Sequence, residues 1–189
     1  MMERNTQNST TTPAPRRLPV WIIAAAFILL IGFLGLIAWG LRRASQGPIR
    51  VNDSVPAITL TTFDNQIIHT NELKSKVIVL NFWASWCKPC EEEAAALEQS
   101  WQRYKAGGQV VFLGVDYVDT EPEALAYLQK FGITYPNGPD LRTQISQMFR
   151  IRGVPETYIL DQEGKLHSIK IGPFASSAEL EAIVDRLLE

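Results

Sequence analysis

Cys87-Lys88-Pro89-Cys90 is the one place in this 189-residue chain where two sulfur nucleophiles stand close enough to trade a bond. There is no other cysteine, so a multi-disulfide framework is excluded, as is a zinc site with three or four cysteine ligands. His69 and His167 are the only histidines that could complete a metal site, and a loop this short gains little as a structural staple. Reversible dithiol–disulfide exchange is the chemistry that remains, and it calls for neither a metal nor an organic cofactor. The flanking sequence supports it. An apolar run, Val77–Trp83, precedes the pair, and a helix-compatible stretch opens at Lys88. Cys87 is therefore expected at a helix N-terminus, where unpaired N–H groups and the positive end of the helix dipole favour thiolate. Lys88 adds a neighbouring cation, and Pro89 falls in the first turn, where its missing N–H costs nothing. Cys87 is expected to be the exposed attacking thiol, and Cys90, one helical turn further in, the resolving one.

These residues need a rigid frame. Residues 57–63 and 67–70 are β-rich and separated by Asp64-Asn65-Gln66, which predicts a hairpin. Val77–Trp83 has the nearly unbroken apolar character of a central strand buried on both faces. A helix is expected over 88–106, stopped by Gly107-Gly108, followed by a second buried strand over 110–115. Thr120-Glu121-Pro122-Glu123 reads as a capping box with Pro in the first turn, opening a helix that ends at Gly132. A short helix over 142–149, strands over 156–161 and 165–171, and a closing helix behind a second capping box, Ser176 to Glu179, complete the pattern. Strand–helix–strand–helix, then a hairpin and a last helix, predicts one α/β domain built on a mixed sheet.

Charge divides the chain. Residues 1–50 carry six arginines against Glu3, while residues 51–189 are net −7. An acidic body argues against nucleic-acid binding, since nothing in it would neutralise phosphates. Residues 1–17 are polar and without apolar period, which predicts a disordered tail. Residues 18–41 contain no ionisable side chain; at about 1.5 Å per residue they reach roughly 36 Å as a helix, enough to cross a hydrocarbon core. Trp21 and Trp39 stand near the two ends, where indoles favour the headgroup level. The run is too long for a cleaved signal core, so it is expected to be a transmembrane anchor, joined by a linker over 42–52 to a domain over 53–189. Arg4, Arg16 and Arg17 on one side balance Arg42, Arg43 and Arg50 on the other, so the positive-inside rule leaves orientation undecided.

The segment Asn81-Phe82-Trp83-Ala84-Ser85-Trp86-Cys87-Lys88-Pro89-Cys90 resembles the active-site segment of the thioredoxin superfamily. Gly153-Val154-Pro155-Glu156-Thr157-Tyr158-Ile159-Leu160-Asp161 resembles its second signature, which carries a cis-proline. The resemblance covers residues 51–189. With the anchor, the extra N-terminal hairpin and the inserted helix over 120–132, it points to the membrane-tethered TlpA/ResA/CcmG (DsbE) group of thiol–disulfide oxidoreductases. It implies a thioredoxin-like fold, with Cys87 attacking, Cys90 resolving, and Pro155 in cis so that the Val154 backbone can pair with an extended substrate. Trp86 matches the aromatic beside the nucleophile. Glu93 matches an acidic residue that exchanges protons with the thiols, and Glu156 the acidic position after the proline; both, with Lys88, are expected to tune the thiolate or its proton. One departure stands out: Asn81 occupies the place of a buried Asp that takes the resolving thiol's proton in thioredoxin, so Glu93, Glu156 or water must serve.

The resemblance further implies a disulfide-containing protein substrate such as apocytochrome c, and a polytopic membrane thiol donor of the CcdA/DsbD kind, because the anchor carries no cysteine to pass electrons itself. It places the N-terminus in the cytoplasm, a single pass in the inner membrane, and the catalytic domain on the extracytoplasmic side, where a reductase needs such a supply. Two rivals use related folds. A thiol peroxidase has Thr three residues before its attacking cysteine, where this chain has Ala84. A copper chaperone would pair the cysteines with a distant histidine, for which His167 is the nearest candidate, but its cysteines are usually separated by three residues rather than two.

Overall fold

A computed structural model describes residues 19–44 and 49–189. The expected tail over 1–17 and the middle of the expected linker lie outside the described residues. The first unit contributes α1 (Val20–Ala44), whose stretch Val20–Leu41 is long and apolar enough to cross a membrane and has exposed side chains throughout. The helix runs three residues past the expected end at Leu41.

The second unit is described from Ile49 onward. Asn52 N–H already donates to Leu166 O at 2.7 Å, and Ile49 packs on the core. Here β1 (Thr59–Thr61) and β2 (Ile67–His69) form the antiparallel hairpin. Next come β3 (Val77–Trp83), α2 (Lys88–Tyr104), β4 (Val110–Asp116), α3 (Glu121–Phe131), β5 (Asn137–Pro139), α4 (Gln144–Phe149), β6 (Glu156–Leu160), β7 (Leu166–Ile171) and α5 (Ser177–Leu188). The sheet order is β5-β4-β3-β6-β7. Parallel pairing joins β3 to β4 and β4 to β5, while β6 runs antiparallel to β3 and β7 antiparallel to β6. This is the mixed sheet of the expected thioredoxin-like fold, with the hairpin and α3 as its additions.

Every residue of β3 is buried, as its unbroken apolar run requires. Leu80 and Phe82 face a core with Leu113, Phe149, Tyr158 and Leu166. Val77 and Val79 face the other, with Leu97, Phe112, Phe174 and Leu180. The alternation follows from the two-residue period of a strand.

Two local expectations change. At Thr120 no capping box closes: Thr120 N–H goes to Asp119 Oδ1 at 2.8 Å, because a charged acceptor one residue upstream outcompetes Glu123, which instead receives the Thr120 hydroxyl. At Ser176 the hydroxyl makes no cap, and Glu179 reaches back one residue further, to Ala175 N–H at 3.0 Å, while also binding Lys170.

Strand direction assembles the site. Because β3 and β4 are parallel, their C-terminal ends share one edge, with Trp83 opposite Asp116. Because β6 is antiparallel, its N-terminal end comes to the same edge, with Phe82 opposite Glu156. The Cys87 loop, the turn after Asp116 and the Val154-Pro155 segment therefore meet, although nearly seventy residues separate the first from the last.

Candidate functional site

Cys87 is the N-cap of α2, with extended backbone (φ −86°, ψ 104°) and Pro89 in the first turn. Its Sγ accepts a hydrogen bond from Cys90 N–H at 3.1 Å, the contact that stabilises negative charge on a sulfur at a helix start. Cys87 and Cys90 are joined as a disulfide. The expectation of an exposed Cys87 is corrected: the residue is 3% exposed, clustered with Trp83, Ala84, Cys90 and Tyr127, with Val154 packed against the group. Burial arises because Trp83, Ala84, Cys90 and Tyr127 surround the residue and Val154 of the proline segment packs against them.

Lys88 is engaged by a carboxylate of its own helix. Its ammonium pairs with Glu91 at 2.5 Å, and Glu91 also binds Lys130 of α3 at 3.0 Å. The exposed lysine's field at Cys87 is thus partly offset, leaving backbone N–H groups as the principal local support for thiolate. Trp86 stands 60% exposed beside the pair, its indole N–H donating to Val118 O at 3.2 Å.

The peptide bond between Val154 and Pro155 is cis. Among the described residues, neither the N–H nor the C=O of Val154 takes part in a backbone–backbone hydrogen bond. Pro89, Val154, Pro155, Ile171 and Pro173 line a groove of about 310 Å³ next to the helix start. Glu156 is buried with both oxygens engaged: Arg152 N–H donates to Oε1 at 2.8 Å and Tyr158 OH to Oε2 at 2.9 Å. It braces the proline loop, and none of these bonds reaches the cysteine pair.

Glu93 lies one turn after Cys90 on the buried face of α2 and is 1% exposed. Asn81 Nδ2 donates to its Oε1 at 2.8 Å and Phe174 N–H to its Oε2 at 3.0 Å. Asn81 also donates to Thr157 Oγ1 at 3.0 Å. Burial pushes the Glu93 carboxyl up to about 7, against the Phe174 N–H and the Asn81 amide, which favour the charged form. The residue that departs from the thioredoxin pattern is therefore in direct contact with the carboxyl that could take over its task.

This raised value fixes a pH dependence. Glu93 prefers its proton in the folded state, so its contribution to stability is complete below its unfolded value near 4.5 and is lost as pH rises through about 7. The loss is on the order of 3 kcal/mol at full ionisation. Thermal unfolding of the detergent-solubilised chain should show this decline, and Glu93→Gln should flatten it; an unchanged slope in the variant sinks the assignment.

A supporting layer, which the sequence did not reveal, holds Cys90 from behind. Tyr127 of α3 donates its hydroxyl to Cys90 O at 2.8 Å and stacks on Trp83, ring centroids 4.5 Å apart. The Trp83 indole N–H donates to Asn137 Oδ1 at 2.8 Å. His69 and His167 lie apart on β2 and β7, and no cluster of three or more His, Cys, Asp or Glu suited to a metal occurs among the described residues.

Known proteins are similar to this chain in sequence and fold. Thioredoxin-like protein YneN of Bacillus subtilis is 27% identical over 166 residues, covering 87% of this chain and 96% of its own length. Thiol-disulfide oxidoreductase ResA of Bacillus cereus is 25% identical over 160 residues, covering 85% of this chain and 91% of its own. A crystal structure titled thiol:disulfide interchange protein, thioredoxin family protein, from Chlorobium tepidum superposes with a TM-score of 0.66 at 26% identity, covering 76% of this chain and all of that one. Residues 51–169, well over half the sequence, match the AhpC/TSA family. With a helix-capping cysteine pair facing a cis-proline on a thioredoxin-like sheet, the chain belongs to the AhpC/TSA family and is a thiol–disulfide oxidoreductase of the ResA/DsbE type.

Proposed function

We propose that this oxidoreductase works as a membrane-tethered reductase on the extracytoplasmic side, passing two electrons from a polytopic CcdA/DsbD-like thiol donor to disulfides of exported proteins, apocytochrome c among them. The observation that carries this reading is the Cys87 sulfur at the mouth of α2, beside a groove where the Val154 backbone is left unpaired by other backbone. An extended client segment can add there as a strand, which brings its disulfide to the reactive sulfur.

The exchange starts from the dithiol. Cys87 thiolate attacks one client sulfur, forming a Cys87–client bond and releasing the other client sulfur as thiolate. Cys90 then gives its proton to Glu93, which the Asn81 contact positions, and attacks Cys87 Sγ. The mixed disulfide breaks, the second client thiolate leaves, and Cys87–Cys90 is oxidised. The anchor α1 holds no cysteine, so restoring the dithiol falls to a separate membrane donor, and tethering keeps donor and client within reach.

Trapping tests the assignment. Cys90→Ser, expressed as the full chain in membranes, should accumulate a covalent adduct with its client that dissolves on adding dithiothreitol. An adduct equally abundant with Cys90 intact overturns the division of labour. Peroxide consumption faster than disulfide reduction would move the chain to the thiol peroxidases, and Cu(I) binding lost on His167 replacement would move it to the copper chaperones.

A further inference from the structure

Asp116, the last residue of β4, is 1% exposed, and among the described residues no donor reaches either of its carboxyl oxygens. Buried polar atoms are seldom left so, because the unmade bond costs about 1–3 kcal/mol. The group that faces it is another acceptor, the carboxyl of Asp119. Two carboxylates have no donor between them; a single proton supplies one.

What Asp119 holds gives the pair its importance. Ser85 N–H, two residues before Cys87, donates to Asp119 Oδ2 at 2.6 Å, and Thr120 N–H donates to Oδ1 at 2.8 Å. The same turn receives the Trp86 indole N–H at Val118 O, and Tyr117 N–H donates to Trp83 O at 2.8 Å. Val118 sits at φ +49°, a conformation that a β-branched residue adopts only under constraint. The turn is thus clamped against the cysteine loop along its whole length, and Asp119 supplies a charged grip.

We propose that Asp116 is a positioning residue for the cysteine loop: carrying its proton, it donates a hydrogen bond to Asp119 and keeps that carboxylate aimed at Ser85 N–H. The other ionisable groups nearby are accounted for. Tyr117 lies on the same turn. Asp140, whose N–H donates to Asp116 O, spends its carboxylate on Ile145 N–H, Ser146 N–H and the Ser146 hydroxyl. The cysteine pair stands beyond Ser85. Burial and the Asp119 charge push Asp116 up to about 8, so the proton is present at neutral pH. Above that, two buried negative charges oppose one another, Asp119 turns away, and the grip on Ser85 slackens.

The test uses the reduced full chain in detergent. The alkylation rate of Cys87 by iodoacetamide, followed across pH, should show an inflection near pH 8 in addition to the thiol's own titration. Asp116→Asn keeps a donor and cannot ionise; it should lose that inflection and retain the low-pH reactivity. Asp116→Val and Asp119→Asn should show the slack-loop reactivity at every pH. An inflection that survives in Asp116→Asn overturns the proposal. Should that variant not fold, carbon-13 resonances of the Asp116 carboxyl in the wild-type chain decide: ionisation in the ordinary carboxylate range overturns it equally. The alkylation arm rests on Cys87 being the attacking thiol, whereas the carboxyl titration does not, so failure of the one reading is distinguishable from failure of the other.

Discussion

Cys87→Ser is expected to lower disulfide reduction by about three orders of magnitude or more while leaving the fold standing. A hydroxyl at this helix start stays protonated at any workable pH, whereas the Cys90 N–H and the helix start favour the thiolate form of a thiol there. The fold survives because serine is itself a good N-cap and can accept the same N–H. Losing the four-residue disulfide loop removes only about 2 kcal/mol from the oxidised state and nothing from the reduced one. Thiol release from a disulfide peptide, measured beside the melting temperature of the reduced chain, separates the two effects. Retention of a tenth of the wild-type rate would show that Cys87 is not the attacking group.

Gly114→Ala is expected to be strongly destabilising although it adds a single methyl group. A Cβ at this position would lie 1.6 Å from Asn137 Oδ1 and 2.9 Å from Trp83 Nε1. Those two atoms are the partners of the hydrogen bond behind the site, so the methyl group displaces the bond as well as the side chains. Overpacking and the lost bond together should cost about 3 kcal/mol, a fall of roughly 10 °C in melting temperature. Combining Gly114→Ala with Asn137→Ala should recover much of the loss, since the second change removes the obstacle. Additive losses in the double variant would show that the close approach at Gly114 is not the cause.

What could be foreseen divides along physical lines. The strand Val77–Trp83 and the helix after it announce themselves, because an apolar run marks a buried strand and a cap followed by Pro in the first turn marks a helix start. The reactive pair was legible for the same reason: its meaning depends on neighbours in sequence. By contrast β5 is three residues, Asn137–Pro139, with no apolar pattern. It is a strand because it pairs with β4 and because Gly138 lets the hairpin's Thr61 carbonyl come close enough that a Cβ would meet it at 2.2 Å. The Glu93–Asn81 contact spans twelve residues, and the Tyr127–Cys90 bond thirty-seven. No local pattern encodes either. Cys87 burial was missed because helix-start chemistry speaks to charge, not to the side chains arriving from the proline loop.

The strand directions at the working edge also govern timing during synthesis. Cys87, Asp116 and Pro155 become neighbours only when β3 has β4 on one flank and β6 on the other. Until the ribosome has released the stretch near residue 160, the cysteine pair lacks the strand and proline segment that pack against it, and α2 lacks the tertiary packing that stabilises a helix in water. The docking edge beside the cysteine pair is thus completed only when β6 joins β3, long after the pair itself has been made.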